Sequence, residues 1–336
     1  MKFFTLSKDI GIDLGTSNTL LYMKGKGIIL CEPSVIAVNT KSQKVLSVGL
    51  EAKNMIGRTS EDIAAVRPLK DGVIANFDLS LQMLKKFFEK ATGRKSFKNS
   101  NIVVCHPSGI TEVEERAINE AVVQGGARKV MLIEEPVAAA LGAGLPVDEP
   151  TGSMIVDIGG GTTEVATISL GGIVTCKTLR FGGNELDDTI INYVKKEFNI
   201  LIGEITAENT KIKLGSACAE ENAEERNMLI TGKDLVTGLP RSITVTERGI
   251  REALKEPIAS IIEAIRATIE QTPPELSADI MDKGIVLSGG GALLRGLDKL
   301  IYNQIHIPVN IAENPLECAV LGAGKCLEII DMVETD

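Results

Sequence analysis

Short apolar runs bounded by glycine and polar residues alternate along this chain with longer stretches whose apolar positions recur at helical spacing. The runs read as strands and the stretches as amphipathic helices, and their alternation predicts an α/β protein. In the first half, strands are expected around 9–14, 19–23 and 27–30, with Gly25 and Gly27 in the turn. A region rich in β-branched residues and turns follows over 34–69. Leu79, Met83, Leu84, Phe87 and Phe88 share one face of a helix near 78–91. After the loop 93–101 comes a strand over 102–105. Thr111 and Glu114 then form a capping box that opens a helix through about Gln124, which Gly125 and Gly126 end. The strand 129–133 runs into a helix that starts at Glu134-Glu135-Pro136.

The second half opens the same way, with strands over 154–158, 164–169 and 173–180 and Gly171-Gly172 in the turn. Asn184 is placed to cap a helix through Phe198, with Leu186, Ile190, Val194 and Phe198 on one face. The charged stretch 204–248 reads as a small inserted subdomain. The residues from Thr246 to Gln271 are helical, with Pro257 kinking or dividing them. Pro273 and Pro274 start another helix that Gly284 closes. A strand then enters Ser288-Gly289-Gly290-Gly291, a helix from Leu293 follows, and a last helix spans the tail.

One pattern occurs twice. DIGIDLGTSNT (9–19) and IVDIGGGTTEVATIS (155–169) each run from apolar strand to aspartate, to glycines, to hydroxyl residues, and Asp157 follows Asp13 by 144 residues. Glycine after the aspartate lets the backbone turn tightly and approach a phosphate with no Cβ in the way. Backbone N–H groups with Thr16, Ser17, Asn18, Thr162 and Thr163 can then bond phosphate oxygens. The two aspartates suit a magnesium ion that keeps most of its waters. Read singly, each copy is equally a β-hairpin with a glycine turn. The matched order of two copies points instead to two similar domains facing one polyphosphate.

Composition narrows the class. At 336 residues the chain has room for two domains. With 44% hydrophobic and 24% charged residues it reads as a soluble globular protein. A net charge of −9 argues against a broad nucleic-acid surface. No apolar run approaches the ~20 residues of a membrane span. The apolar stretch in MKFFTLSKD is too short for a secretory signal. The six scattered cysteines, with no C-x-x-C, read as free thiols in a reducing cytoplasm. With only His106 and His306, no histidine metal site or triad is expected. No G-x-x-x-x-G-K-[ST] and no G-x-G-x-x-G after a strand is present, so neither a P-loop nor a dinucleotide fingerprint is expected.

Three further constellations carry candidate chemistry. The turn at 288–291 can lay backbone against an adenine or ribose, although alone it is equally a tight βα turn. Glu208 and Lys211 stand three apart on one helix face, as a surface ion pair or as partners of ribose hydroxyls and a base edge. Glu134 and Glu135 precede Pro136 where a strand meets a helix. A carboxylate there either interacts with the helix N-terminus or positions and deprotonates a water.

The set DIGIDLGT, IEEPVAAALGAG, VDIGGGTTEVA, LSGGG and ENPLECAVLGAG resembles the actin and heat-shock ATPase superfamily. The connecting segments CEPSVIAV, VGLEAKNMIGRT, RPLKDGVIANF, TGLPRSITV and TPPELSADIMDKGIVLSGGGALLRGLD are similar to those of the MreB/Mbl family of bacterial actins. The resemblance spans about 9–330. It implies an α/β, actin-like ATPase fold, two ribonuclease-H-like domains around a nucleotide cleft, each with a small inserted subdomain. Domain I would be 1–149 with 319–336, its small subdomain about 37–69. Domain II would be 150–318, its small subdomain about 186–249.

The resemblance implies that Thr16, Ser17 and Asn18 hold phosphates from one side and Gly160, Gly161 and Thr162 from the other. Glu208, Asn209, Thr210 and Lys211 would face the nucleoside, and Gly290, Gly291, Ala292 and Leu293 would cover the base. Asp13 and Asp157 would orient the Mg²⁺ shell. Glu135 would activate water, with Glu134 the weaker candidate. The sequence departs from the family at Ser17, where alanine is usual, at Asn184, where a carboxylate is usual, and at Ile205, where arginine is usual.

The function implied is an ATP-hydrolysing, cytoplasmic, membrane-associated filament that scaffolds cell-wall synthesis and maintains rod shape. Its partners would be copies of itself, the inner face of the cytoplasmic membrane and the cell-wall elongation machinery, with no nucleic acid. Two regions are candidate membrane contacts: Phe3, Phe4 and Leu6 beside Lys2 and Lys8, and the loop around Phe97 flanked by Arg94, Lys95 and Lys98. The rival readings are a heat-shock-type chaperone ATPase, a sugar or acetate kinase on the same fold, and a nucleotide-locked subunit that never turns over. The chaperone would need a further substrate domain, for which 336 residues leave no room. The kinase would need a catalytic aspartate beyond Asp13 and Asp157, and none stands out.

Overall fold

The computed structural model describes residues 9–93, 96–98, 100–219 and 224–329. The chain begins with a meander, β1 (Ile10–Leu14), β2 (Asn18–Met23) and β3 (Gly27–Pro33). Small elements follow: β4 (Ile36–Asn39), β5 (Val45–Val48), α1 (Leu50–Lys53), β6 (Ile63–Val66), β7 (Leu69–Lys70) and β8 (Val73–Ile74). Then come α2 (Phe77–Thr92), β9 (Asn101–His106), α3 (Glu112–Gln124), β10 (Lys129–Glu134) and α4 (Glu135–Gly142).

The second half repeats the meander as β11 (Ser153–Ile158), β12 (Thr163–Ser169) and β13 (Gly172–Leu179). It continues with α5 (Gly183–Phe198), β14 (Ile200–Leu201), α6 (Glu204–Leu214), the hairpin β15 (Asn227–Asp234) and β16 (Pro240–Thr246), and α7 (Glu247–Gln271). It closes with α8 (Pro274–Lys283), β17 (Ile285–Ser288), α9 (Leu297–Ile305), β18 (Val309–Ile311) and α10 (Cys318–Cys326).

The two large sheets have one topology. The first runs β10-β9-β1-β2-β3 and the second β18-β17-β11-β12-β13. In each, an antiparallel meander is extended by two parallel strands on the side of its first strand. Asp13 and Asp157 occupy equivalent places near the carboxyl ends of β1 and β11, paired across the sheet with Cys105 and Ser288. Ligands of open α/β sheets bind outside the carboxyl ends of the strands, so the topology aims both aspartates into one crevice. Two three-stranded sheets, β5-β4-β6 and β14-β15-β16, flank the large ones.

Helices α4 and α10 pack together against both large sheets, one cluster joining Ala138, Ala323 and Cys326 to Val103, another joining Ala139, Ala140 and Cys318 to Ile155 and Ala166. Their sequences, AAALGAG and AVLGAG, are small because the backbones nearly touch. A Cβ at Gly142 would lie 1.8 Å from the Cys318 carbonyl oxygen, and one at Gly322 would lie 1.8 Å from that of Ala138.

Several local expectations are met. Thr111 and Glu114 make the reciprocal capping box of α3, and the two meanders fall where the apolar runs placed them. Others are corrected. Helix α5 starts with Gly182 at the cap, not Asn184, because the chain enters it directly from the glycine loop. Pro257 neither divides nor ends α7, which runs unbroken through it as 25 residues. The segment 290–293 is a 3₁₀ turn, and α9 begins only at Leu297, after Gly296 takes a left-handed φ of 71°.

Phe97 is not exposed as a membrane contact would require. Phe97 is fully buried, its ring 4.5 Å from that of Phe88 in the core that includes α2 and α3. The sequence pattern hid this because the flanking basic residues look like a headgroup contact while the ring turns inward. Phe3, Phe4 and Leu6, with Lys2, Lys8, Arg94 and Lys95, lie outside the described residues. Among the described residues, no helix is long and apolar enough to cross a membrane.

Candidate functional site

Both halves line a cleft of about 480 Å³, within the size range of small-molecule sites. The first half contributes Asp13, Thr16, Ser17, Asn18 and Glu135. The second contributes Asp157, Gly160, Gly161, Thr162, Glu208 and Lys211, with Gly290, Gly291 and Leu293 from the late 3₁₀ turn. The structure thus brings together most of the candidates read from the sequence.

Four do not reach the cleft. Thr163 is fully buried and its hydroxyl donates to the Phe181 carbonyl oxygen. Asn209 is exposed on the other side of α6. Thr210 is buried and its hydroxyl donates to the Thr206 carbonyl oxygen. Ala292 is fully buried in the second-half core. Runs of consecutive residues cannot all face one way on a helix or a 3₁₀ turn, so a contiguous motif overstates the contacts. Glu134 occupies the N-cap position of α4 without a side-chain cap bond and does not line the cleft, whereas Glu135 does.

The two glycine loops meet closely. A Cβ at Gly160 would sit 2.0 Å from Ser17 Oγ, and one at Gly161 would sit 2.7 Å from Thr16 Oγ1. Only glycine allows that approach. The first loop is braced by Ser34, whose hydroxyl donates to the Gly15 carbonyl oxygen, and by Gly72 N, which donates to Thr16 Oγ1. The second is pinned to the start of α5, where the N–H groups of Gly183 and Asn184 donate to the carbonyl oxygens of Gly159 and Gly160. Ser17 Oγ donates to Asn184 Oδ1 across the cleft at 3.0 Å. The departure from the family at Ser17 therefore supplies the donor of a tie between the first loop and the start of α5, which the capping assignment of Asn184 overlooked.

Three carboxylates gather at the closed end. Burial raises Asp13 to about 7, with the charge of Asp157 adding to the effect. Burial also raises Asp157, opposed by hydrogen bonds from Ser288, at 2.6 Å, and from Glu135. Glu135 is raised well above the ordinary carboxylate range by burial first and then by the charges of Asp157, Asp13 and Glu164. Their shared bond lowers Asp157 and raises Glu135. Buried negative charge of this density fits a cation. Among the described residues, no three Asp, Glu, His or Cys side chains converge tightly enough to ligate an ion directly. A hydrated ion such as Mg²⁺ would fit here, with Asp13 and Asp157 able to hold it through its waters.

The nucleoside end departs from the expected Glu208–Lys211 pairing. Lys211 Nζ bonds the Gly183 carbonyl oxygen at 2.6 Å and Asp187 at 2.9 Å. Glu208 instead pairs with Lys53, from the first half, at 2.6 Å. Burial lifts Asp187 to about 6 despite Lys211 beside it. Asp187, Ile212, Leu294 and Leu316 also line the cleft and were not singled out in the sequence. Ile212 offered a signal, being an apolar residue on the polar side of α6 and largely exposed. Asp187 offered none, since it sits among other acids in a helical run.

The family model described as MreB/Mbl protein matches residues 7–335. The cell shape-determining protein MreB of Escherichia coli strain K12 is 51% identical over 331 residues, covering 97% of this chain and 95% of that protein. The cell shape-determining protein Mbl of Bacillus cereus is 50% identical over 325 residues, covering 97% of each. The structure of MreB5 of Spiroplasma citri bound to AMPPNP superposes with a TM-score of 0.93 at 39% identity, covering 97% of this chain and 98% of that one. The MamK double helical filament shares the fold, with a TM-score of 0.79 at 21% identity over 95% of this chain and 98% of that one. The fold is that of an actin-like ATPase, and the chain belongs to the MreB/Mbl family.

Proposed function

We propose that this chain binds and hydrolyses Mg-ATP in the cleft and polymerises head to tail as a membrane-associated filament that determines cell shape by scaffolding cell-wall synthesis. The observation that carries this reading is the meeting of two glycine loops over three buried carboxylates. The relatives' names as cell shape-determining proteins and the AMPPNP in a close structural neighbour support it. Two domains, 1–149 with 319–336 and 150–318, would close on the nucleotide, each carrying its small sheet. A head-to-tail contact does not close on itself and so extends into a filament.

In this reading Thr16, Ser17 and Asn18 grip the phosphates with side chains, and Gly160, Gly161 and Thr162 grip them with backbone and a hydroxyl. Mg²⁺, when bound, supplies charge neutralisation of the phosphates. Asp13 and Asp157 orient its waters. Glu208 and Lys211 face the nucleoside, and Gly290, Gly291 and Leu293 cover the base. The raised Glu135 accepts the proton of the attacking water at a carboxylate oxygen. The positive charge of a bound ion would favour the ionised form of Glu135, whose proton would leave to bulk water before the attacking water reacts.

Vesicle flotation tests the membrane assignment. With Phe97 in the core, that contact falls to the N-terminal segment. Polymer should float with anionic vesicles while monomer stays behind, since many weak anchors act together. Phe3→Ser with Phe4→Ser should abolish flotation and spare ATP-dependent polymer; unchanged flotation would remove the N-terminal assignment.

A further inference from the structure

Beyond the Ser17–Asn184 bond, the two halves are joined beside the cleft by charge. Lys53, the last residue of α1 beside the small sheet of the first half, places Nζ 2.6 Å from one oxygen of Glu208 and 2.8 Å from the other. The two side chains are 21% and 31% exposed, so the pair is largely shielded. One helical turn earlier on α6, Glu204 stands 3.9 Å from Arg67, which follows the strand β6 of the same small sheet. Glu204 and Glu208 are four apart and share one face of α6. That face meets two cations contributed by the other half. Ile205, between them, adds no positive charge to α6 that would compete for Glu208.

We propose that the Lys53–Glu208 pair, assisted by Arg67–Glu204, is a latch that sets the rate at which nucleotide enters and leaves the cleft. This rests on the reading of the cleft as a nucleotide site and adds its regulation. The pair links residues 155 apart in sequence and so joins the two halves beside the cleft. Glu208 also lines the cleft. An ionised carboxylate has about four lone-pair sites, so Glu208 can hold Lys53 and a ribose hydroxyl together. The nucleoside then sits beneath the latch and need not displace it. The two contacts differ in strength. Lys53 engages both oxygens in a shielded setting, while the Arg67–Glu204 pair is longer and its carboxylate is 58% exposed. Exposed pairs are screened and contribute little, so Lys53 carries most of the effect.

A gate and a ligand contact change rates differently. Opening a gate speeds entry and exit together and leaves Kd nearly constant. Loss of a cation that touches the nucleotide speeds exit and leaves entry unchanged or slower. Stopped-flow fluorescence with mant-ADP, on the full chain kept below its polymerisation threshold, separates the two. Lys53→Ala should raise both the association and the dissociation rate roughly five-fold, as for the loss of a partly shielded ion pair. Lys53→Arg should restore both rates, and Glu204→Ala should raise them by a smaller factor. Dissociation from the wild-type chain should quicken with added salt, while that from Lys53→Ala should quicken much less, only the weaker Arg67–Glu204 pair remaining to be screened. Unchanged rates in Lys53→Ala, or faster release without faster binding, would overturn the latch while leaving the nucleotide site intact. A wild-type chain that gives no mant-ADP signal would overturn the site and the latch together.

Discussion

The two glycine loops have the same sequence order and the same place in duplicate sheets, yet they are built for different work. The first, after Asp13, keeps a single glycine and then presents Thr16, Ser17 and Asn18 to the cleft. The second, after Asp157, has three glycines and lies directly against those side chains. One loop supplies side-chain donors and the other supplies bare backbone that lets them approach. Their aspartates differ in the same sense. Asp157 receives hydrogen bonds from Ser288 and Glu135. Asp13 has no hydrogen-bond donor of its own among the described residues, and burial and its twin's charge raise it to about 7. A duplicated motif therefore does not imply duplicated roles. In the proposed reaction Asp157 would stand beside Glu135, while Asp13 would be left to face a cation.

The largest effect expected from this asymmetry is on hydrolysis. Glu135→Ala should slow phosphate release roughly 10²-fold or more, the scale of losing a positioned base. Nucleotide affinity should remain, as read by mant-ADP titration. Wild-type-like turnover by polymerised Glu135→Ala would remove Glu135 from the water-activating role and break the pairing with Asp157.

A smaller effect separates the loops themselves. A side chain at Gly160 runs into Ser17, so Gly160→Val should weaken nucleotide binding by about ten-fold or more, the order of cost of overpacking a tight contact. Ser17→Ala removes one hydrogen-bonding group and should cost about five-fold, in line with a typical net hydrogen bond. Equal losses in the two variants would mean that close approach is not the second loop's special contribution.

The pH dependence of stability sharpens the aspartate comparison further. Asp13 is raised to about 7 and Glu164, buried beneath the cleft, to about 8. Glu135 and Asp157 are raised as well. In the unfolded chain these acids ionise near 4. Between about pH 4 and 8 unfolding therefore releases protons, and stability falls as pH rises through that window. The ligand-free chain should melt at a lower temperature at pH 8 than at pH 6. Asp13→Asn should flatten part of the slope by removing the unpartnered charge, and Asp157→Asn should flatten it further, because the charge of Asp157 also raises Asp13 and Glu135 while an amide oxygen there can still accept from Ser288. A melting temperature that climbs from pH 6 to 8 would contradict this assignment.

Much of the site was legible because its chemistry is local. The strand–Asp–Gly–hydroxyl order fixes a turn at the end of a buried strand, and the capping box at Thr111 and Glu114 fixes where α3 begins. What escaped the sequence depends on contacts between distant segments. Asn184 looks like a helix cap until the fold sets Ser17 beside it. Glu208 looks like a partner of Lys211 until the fold brings Lys53 from the other half. Phe97 looks exposed among basic residues until Phe88 is seen packed on it. The LGAG repeats at 141–144 and 321–324 carried a readable signal, two small helices that can touch, but their meaning appears only where Gly142 and Gly322 meet the opposite backbone.

The central claim is that Mg-ATP held between the two loops drives self-assembly. Sedimentation of the purified chain over a concentration series, with Mg-ATP, with Mg-ADP and with EDTA, tests it most directly, with phosphate release read in the same tubes. The account predicts polymer above a threshold concentration with Mg-ATP, little without nucleotide or metal, and phosphate release that rises with polymer. Polymer of equal amount in all three conditions, or none at tens of micromolar with Mg-ATP and anionic lipid, on the scale of weak protein contacts at about 10⁻⁵ M, would contradict it.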